Sequence, residues 1–310
     1  MTARVLVVGD ANVDLVLSGD VVPRFGQAEQ LLDAASLVLG GSAAIVASGL
    51  AKLGIDTHLV AVVGDDEFGR FTVNALAEAG VQTGSLLTDP AAATGISVIL
   101  SAPQDRSILT APGALPLLRG EHVRAAVEKL APQHVHFASY FLLPALAAEL
   151  PALLGWLNER GITTSLDTNW DPSGRWTGLP DVLAAVDILL PNLEELRAIA
   201  AATGAEGADD ELLAAVLGPV VVVKAGADGG FSVARGRGVT RATGLVIDVI
   251  DTTGAGDSFD AGYLAALAEG IDDETMRLRW ATVVGSQSTR AAGGTAAQPT
   301  RLELEEELAR

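Results

Sequence analysis

The chain has 310 residues, nearly half of them hydrophobic, and carries a formal charge of −19 at pH 7. That length suits one large α/β domain, while 20 Lys and Arg against 39 Asp and Glu argue against duplex nucleic acid as a partner, because such binding needs a basic face to displace counterions. With no cysteine there is no disulfide or thiolate metal site, and no apolar run reaches the roughly 20 residues that span a bilayer, so a soluble cytoplasmic protein is expected.

From the N-terminus the chain enters an apolar strand at residues 5–8, without the pattern of an export signal. Asn12 and Asp14 follow it, where open α/β sheets collect ligands, although turn residues are the plainer reading. Residues 12–39 and 94–112 alternate apolar with polar and are predicted as antiparallel strands of a small separate sheet. Helices are predicted over 42–53, 68–79 and 122–130, the first two stopped by Gly54 and Gly80 and the third closed before Pro132. Residues 64–70 have the glycines of a phosphate loop but lack its Lys-Ser/Thr, and are set aside. Further strands are predicted at 57–63, 134–137, 163–166, 188–190 and 220–223, the rhythm of a parallel sheet covered by helices. His134 and His136 share one strand face and read as core or crevice residues rather than a metal pair.

Several polar residues follow these strands. Arg106 is either a solvated charge on a hairpin or a holder of an anionic group. Asp167, Asn169 and Asp171 alternate like an ion loop, yet the glycine and terminal Glu of a calcium site are missing. Asn192 and Glu195 have the spacing of a capping box, and the Ala-rich stretch 196–217 reads as helix and turn. Lys224 ends a strand before a glycine-rich loop, where it is a phosphate contact or an ordinary solvated lysine.

Residues 251–262, Asp-Thr-Thr-Gly-Ala-Gly-Asp-Ser-Phe-Asp-Ala-Gly, are the most informative stretch. The β-branched run 245–250 before them predicts a strand, and Phe259, Tyr263 and Leu267 at four-residue spacing predict a helix after them. The turn Gly254-Ala255-Gly256 would let the N–H groups of residues 254–257 close on an anion at the positive end of that helix. Asp257 is then either a helix cap or a base that takes a proton from an attacking hydroxyl.

The segment resembles the second signature of the ribokinase-like (phosphofructokinase B type) carbohydrate kinases at every characteristic position. The resemblance extends over nearly the whole chain, because Gly40-Gly41-Ser42-Ala43-Ala44-Ile45-Val46-Ala47 resembles the first signature and the other segments follow in the family order. It implies one domain over residues 1–310, with a Rossmann-like parallel sheet flanked by helices and a β lid formed within 12–39 and 94–112. It implies Asp257 as catalytic base, with Gly254, Ala255 and Gly256 as the anion hole. Asn12, Asp14, Gly40, Gly41, Ser42, Ile45, Arg106, Asp167 and Asn169 would bind the sugar side. Asn192, Lys224, Gly226, Asp228, Gly229, Gly256 and Ser286 would bind the nucleotide. Asn192 and Glu195 would hold Mg2+ through water, and the carbonyls at Asp251 and Thr252 a monovalent cation such as K+. One departure stands out: Ile45 replaces an Asn of most members, and an aliphatic side chain cannot hydrogen-bond a sugar hydroxyl.

The implied reaction is transfer of the γ-phosphate of MgATP to a hydroxymethyl group of a ribose, fructose or keto-sugar type substrate. A sugar-phosphate or nucleoside kinase, in which Arg24 and Arg106 would converge on a phosphorylated substrate, remains open, as does a sugar- or nucleotide-binding regulator that has lost turnover. A homodimer through the lid edge is also implied. A dinucleotide-dependent dehydrogenase is set aside, because residues 8–12 lack the Gly-x-Gly-x-x-Gly turn.

Overall fold

The computed structural model describes residues 3–26, 29–101, 106–234 and 238–310. Residues 27–28 and 102–105 of the two segments expected to form a lid, Asp105 beside Arg106 among them, therefore lie outside the described residues. In chain order, β1 (Arg4–Val8) and β2 (Asn12–Ser18) lead to β3 (Ala34–Gly40), α1 (Ser42–Lys52), β4 (Asp56–Val60), β5 (Val62–Gly64) and α2 (Glu67–Glu78). Next come β6 (Leu87–Asp89), β7 (Ile96–Ser101), β8 (Arg106–Ala111), α3 (Gly120–Leu130), β9 (His134–Ala138), α4 (Pro144–Asn158) and β10 (Thr163–Asp167). The C-terminal part holds α5 (Leu179–Leu183), β11 (Ile188–Leu189), α6 (Leu193–Thr203), α7 (Asp210–Val216), β12 (Val220–Lys224), β13 (Gly230–Val233), β14 (Val239–Ala242), α8 (Ala255–Ala268), α9 (Glu274–Ser288) and α10 (Arg301–Leu308).

The main sheet has the order β14-β13-β12-β11-β10-β9-β1-β4, with an antiparallel β13–β14 edge on an otherwise parallel sheet. Its strands are apolar at successive positions because both faces are covered. In β1, Leu6 and Val8 enter one apolar core while Val5 and Val7 enter the other. This is the parallel sheet flanked by helices, with a separate small sheet, expected from the sequence. His134 and His136 are buried on β9, where Ser165 Oγ lies 2.7 Å from His134 Nε2 and 2.8 Å from His136 Nδ1. Burial pushes both imidazoles down, to about 3 and about 4, so they are neutral core residues as expected. Helices α6 and α7 occupy most of the Ala-rich stretch. No helix among the described residues is long and apolar enough to cross a membrane.

Three expectations need correction. The small sheet, order β3-β2-β7-β8, pairs β2 with β3 and β7 with β8 antiparallel, but its central pair β2–β7 is parallel. Period-two alternation fixes which face a residue occupies and says nothing of strand direction. The predicted strand 57–63 divides at Ala61 into β4, in the main sheet, and β5, which pairs with β6. The run 245–250 is not a strand. Leu245 N donates to Ser286 Oγ at 3.1 Å and Ile250 N to Thr289 O at 2.8 Å, so α9 and its C-terminal cap residue take up donors a sheet would have used, and Val246, Val249 and Ile250 stay exposed.

Candidate active site

The candidate residues gather where strands of the main sheet end and α1 and α8 begin, which is the expected ligand crevice of an open α/β sheet. Helix α8 opens on Gly254, whose φ of +69° suits glycine, and a Cβ there would lie 2.7 Å from Gly294 Cα. Among the described residues no side chain caps this end. Of the four N–H groups expected to meet an anion, that of Ala255 already donates to Thr252 O at 3.2 Å. Those of Gly254, Gly256 and Asp257 belong to a first turn, whose donors have no partner within the helix.

Asp257 accepts a hydrogen bond from Ser42 Oγ at the start of α1. Part of its side chain stays open to the cleft, yet loss of water, with the charge of Asp167 behind it, pushes its carboxyl up to about 7. Ser42 in turn accepts from Asn169 Nδ2 at 3.0 Å. Asn169 has φ +52°, a left-handed conformation that Asn tolerates, and its N–H meets Asp167 Oδ1 at 2.9 Å.

Beneath this group lies a buried ion cluster. Lys224 Nζ donates to Asp167 Oδ2 at 2.7 Å and to Asp260 Oδ2 at 3.1 Å. Lys224 is thus neither solvated nor extended as a lone cation; its stem runs under the turn, with Cδ 3.4 Å from where a Gly256 Cβ would be. Burial opposes its charge, but Asp167, Asp260 and Glu195 outweigh that and keep it protonated. Burial likewise opposes the charge of Asp167, and Lys224 reverses the balance, holding this carboxyl below its ordinary range. Asp260 lacks that surplus, and burial drives it well above the ordinary range. Glu195, raised to about 7 by burial and then by Asp167, forms a reciprocal capping box with Asn192: Glu195 N donates to Asn192 Oδ1 at 2.9 Å and Asn192 N to Glu195 Oε2 at 2.8 Å.

On the small-sheet side, Asn12 Nδ2 donates to Asp14 Oδ1 at 3.0 Å and to Ser97 Oγ at 3.3 Å. Asp14 lies on Gly40, where a Cβ would come within 2.1 Å of Oδ1, so only glycine fits beside this carboxylate. Burial, with the charge of Asp10, raises Asp14 to about 6. Arg106, exposed on β8, donates from Nη1 to Thr253 Oγ1 at 3.0 Å and so joins the small sheet to the turn before α8. Arg24 is instead ion-paired with Asp20 on the exposed segment between β2 and β3. Ile45 is buried, and its side chain fills the space beside Gly254 and Gly294 rather than offering a polar contact.

The nucleotide-side residues are more scattered. Gly226 and Asp228 are exposed on the loop after β12, and Gly229 is buried against the backbone of 242–244. Ser286 anchors Leu245, as above. Asp251 is held by its side chain, Oδ1 accepting from Thr253 N at 2.9 Å and Oδ2 from Gly293 N at 2.8 Å, and Thr252 is exposed. Among the described residues no three acidic or imidazole side chains converge as a ready metal site.

Sequence reasoning missed Asp10, Ser139 and Asp260. Asp10 caps α1, accepting from Ser42 N at 3.1 Å and Ala43 N at 3.0 Å, and its place after the first strand was an available signal. Asp260 follows Asp257 by three residues and so shares its helix face, which was also legible. Ser139, with φ +57°, donates its N–H to Asn169 Oδ1 at 2.8 Å, and nothing local announced it.

A model described as pfkB family carbohydrate kinase matches residues 2–301. A fructokinase of Klebsiella pneumoniae is 31% identical over 324 residues, spanning 99% of this chain and 100% of the relative. An ATP-dependent ribose-1-phosphate kinase of Halopiger xanaduensis is 30% identical over 298 residues, spanning 95% and 94%. Among solved structures, Arabidopsis thaliana ribokinase complexed with ribose and ATP superposes with a TM-score of 0.85 at 25% identity, covering 100% of each chain.

Proposed function

The chain belongs to the pfkB family of carbohydrate kinases, and from that premise we propose that it transfers the γ-phosphoryl group of ATP to a hydroxymethyl group of a small sugar of the ribose, fructose or keto-sugar type. One observation carries the reading: Asp257, its carboxyl raised to about 7, stands in the first turn of α8 behind the Gly254 turn. Asp257 accepts the hydroxyl proton as the sugar oxygen bonds to the γ-phosphorus, the bond to the β-phosphate oxygen breaks, and ADP leaves with that electron pair. Donors at Gly254, Gly256 and Asp257 stabilise charge on the phosphoryl oxygens. Asn12 and Asp14 bind sugar hydroxyls beside Gly40 and Gly41. The loop of Gly226, Asp228 and Gly229, with Lys224 beneath Gly256, borders the nucleotide.

Asn192 and Glu195 offer the hard oxygen donors that suit Mg2+ held through water, and the ion would neutralise charge on the nucleotide phosphates. The carbonyls of Asp251 and Thr252 would hold K+, and activity with and without potassium tests that assignment. The small sheet acts as a lid, and its exposed Leu37, Ile108 and Leu109 favour a homodimer through that sheet; a monomeric size in solution would remove it.

A phosphorylated sugar is the second reading, supported by the reach of Arg106 to Thr253 alone, since Arg24 is ion-paired with Asp20. ADP release across ketoses, aldoses, sugar phosphates and nucleosides, with Asp257→Asn as control, tests both. Activity confined to one group and lost in the variant upholds the kinase reading, whereas ligand binding without ADP release would replace it with a binding protein.

A further inference from the structure

We propose that Ser42 is a positioning residue for the base, donating its only hydroxyl proton to Asp257 Oδ1 and leaving Oδ2 to receive the proton of the substrate. The direction of the hydrogen bonds carries this. Ser139 N–H can only donate, and it meets Asn169 Oδ1 at 2.8 Å, which fixes the orientation of the Asn169 amide. Asn169 Nδ2 therefore faces Ser42 Oγ, at 3.0 Å, and donates to it. With Ser42 Oγ accepting from one side, its own proton is directed to the other, where Asp257 Oδ1 lies.

The chain Ser139, Asn169, Ser42, Asp257 thus runs one way, and its anchors are rigid. Asp10 Oδ2 holds the N–H of Ser42 at 3.1 Å, and Asp167 Oδ1 holds that of Asn169 at 2.9 Å. The charges around Asp257 come from each neighbouring element: Asp10 after β1, Asp167 at the end of β10, Lys224 at the end of β12 and Asp260 one turn along α8. Burial and the carboxylates raise Asp257, Lys224 opposes them, and Ser42 is the hydroxyl in direct contact that favours the charged form. This assignment goes beyond a sugar contact for Ser42, and it rests on Asp257 being the base.

The test is the pH dependence of kcat/KM for the wild type, Ser42→Ala, Ser42→Thr, Ser42→Cys and Asp257→Asn, with thermal unfolding of each. In Ser42→Ala the acid limb, scaled to the variant's own plateau, should move up by about one pH unit, giving about a tenfold loss one unit below the wild-type limb beyond whatever the plateau itself loses. Ser42→Thr, which keeps the hydroxyl, should restore the limb. An acid limb that coincides with that of the wild type, even with kcat lowered, overturns the proposal, since a merely structural role moves no limb. Should Ser42→Ala fail to fold, Ser42→Cys decides, because its weaker donor must shift the limb in the same direction by less, and no shift defeats the idea. A wild type without an acid limb, or an Asp257→Asn variant that keeps one, would instead defeat the base assignment beneath it.

Discussion

Asp167 and Asp14 are the same residue type, both buried on opposite sides of one cleft, and they titrate in opposite directions. Burial disfavours the charge of each. Asp167 overcomes it by contact with Lys224, whereas Asp14 has, among the described residues, the amide of Asn12, the hydroxyl of Ser97 and the more distant guanidinium of Arg106, and rises to about 6. The contrast teaches that a single buried lysine divides this acidic site. Of the two carboxylates touching it, Asp167 becomes a fixed anion while Asp260 is driven well above the ordinary range by burial, and Asp14, Asp257 and Glu195 remain poised to exchange protons near neutrality.

The sharpest way to break this comparison is Asp257→Asn, which keeps the shape and removes the poised group. Turnover should fall on the order of 10² to 10⁴-fold with ATP affinity unchanged, and a wild-type kcat would end the distinction. Lys224→Met attacks the other half. With Asp167 and Asp260 left buried beside an apolar side chain, urea unfolding near neutral pH should show a loss of about 3–5 kcal/mol, recovering in part in acid as the carboxylates take up protons.

A smaller effect is expected at Asp14. A folded pKa raised above its unfolded value means that the native state binds this proton more tightly. The resulting stability is full below the ordinary value of 3.8 and is lost as pH rises through about 6. Asp14→Asn should therefore gain on the wild type by about 2 kcal/mol in unfolding free energy between about pH 4 and about pH 7, and a constant difference would contradict the raised value. Smallest is Arg106→Ala, which removes the part-buried hydrogen bond between the small sheet and Thr253 and a positive charge that acts on Asp14 and Asp251. The KM for sugar should rise about fivefold, near 1 kcal/mol, with kcat and unfolding midpoint held.

Much of the site was legible where chemistry and position are local. The glycine turn with its aspartate, the capping box of Asn192 and Glu195, and the shared face of His134 and His136 all follow from spacing along one element. Less visible were features that need a partner far along the chain. Lys224 is separated from Asp167 by 57 positions, and Ser42 from Asp257 by 215, so no window of sequence shows either contact. The run 245–250 has the composition of a strand, but propensity is overridden when α9 takes its backbone donors.

By itself the sequence determined that this chain makes a parallel sheet covered on both faces, with a carboxylate set behind a glycine turn at a helix start, because periodicity, glycine and dipole act over a few residues. The tertiary structure alone decided which carboxylates are charged, which hydroxyl faces Asp257 and which way the strands of the small sheet run. Those properties depend on burial and on distances between elements, and neither is encoded within any one segment.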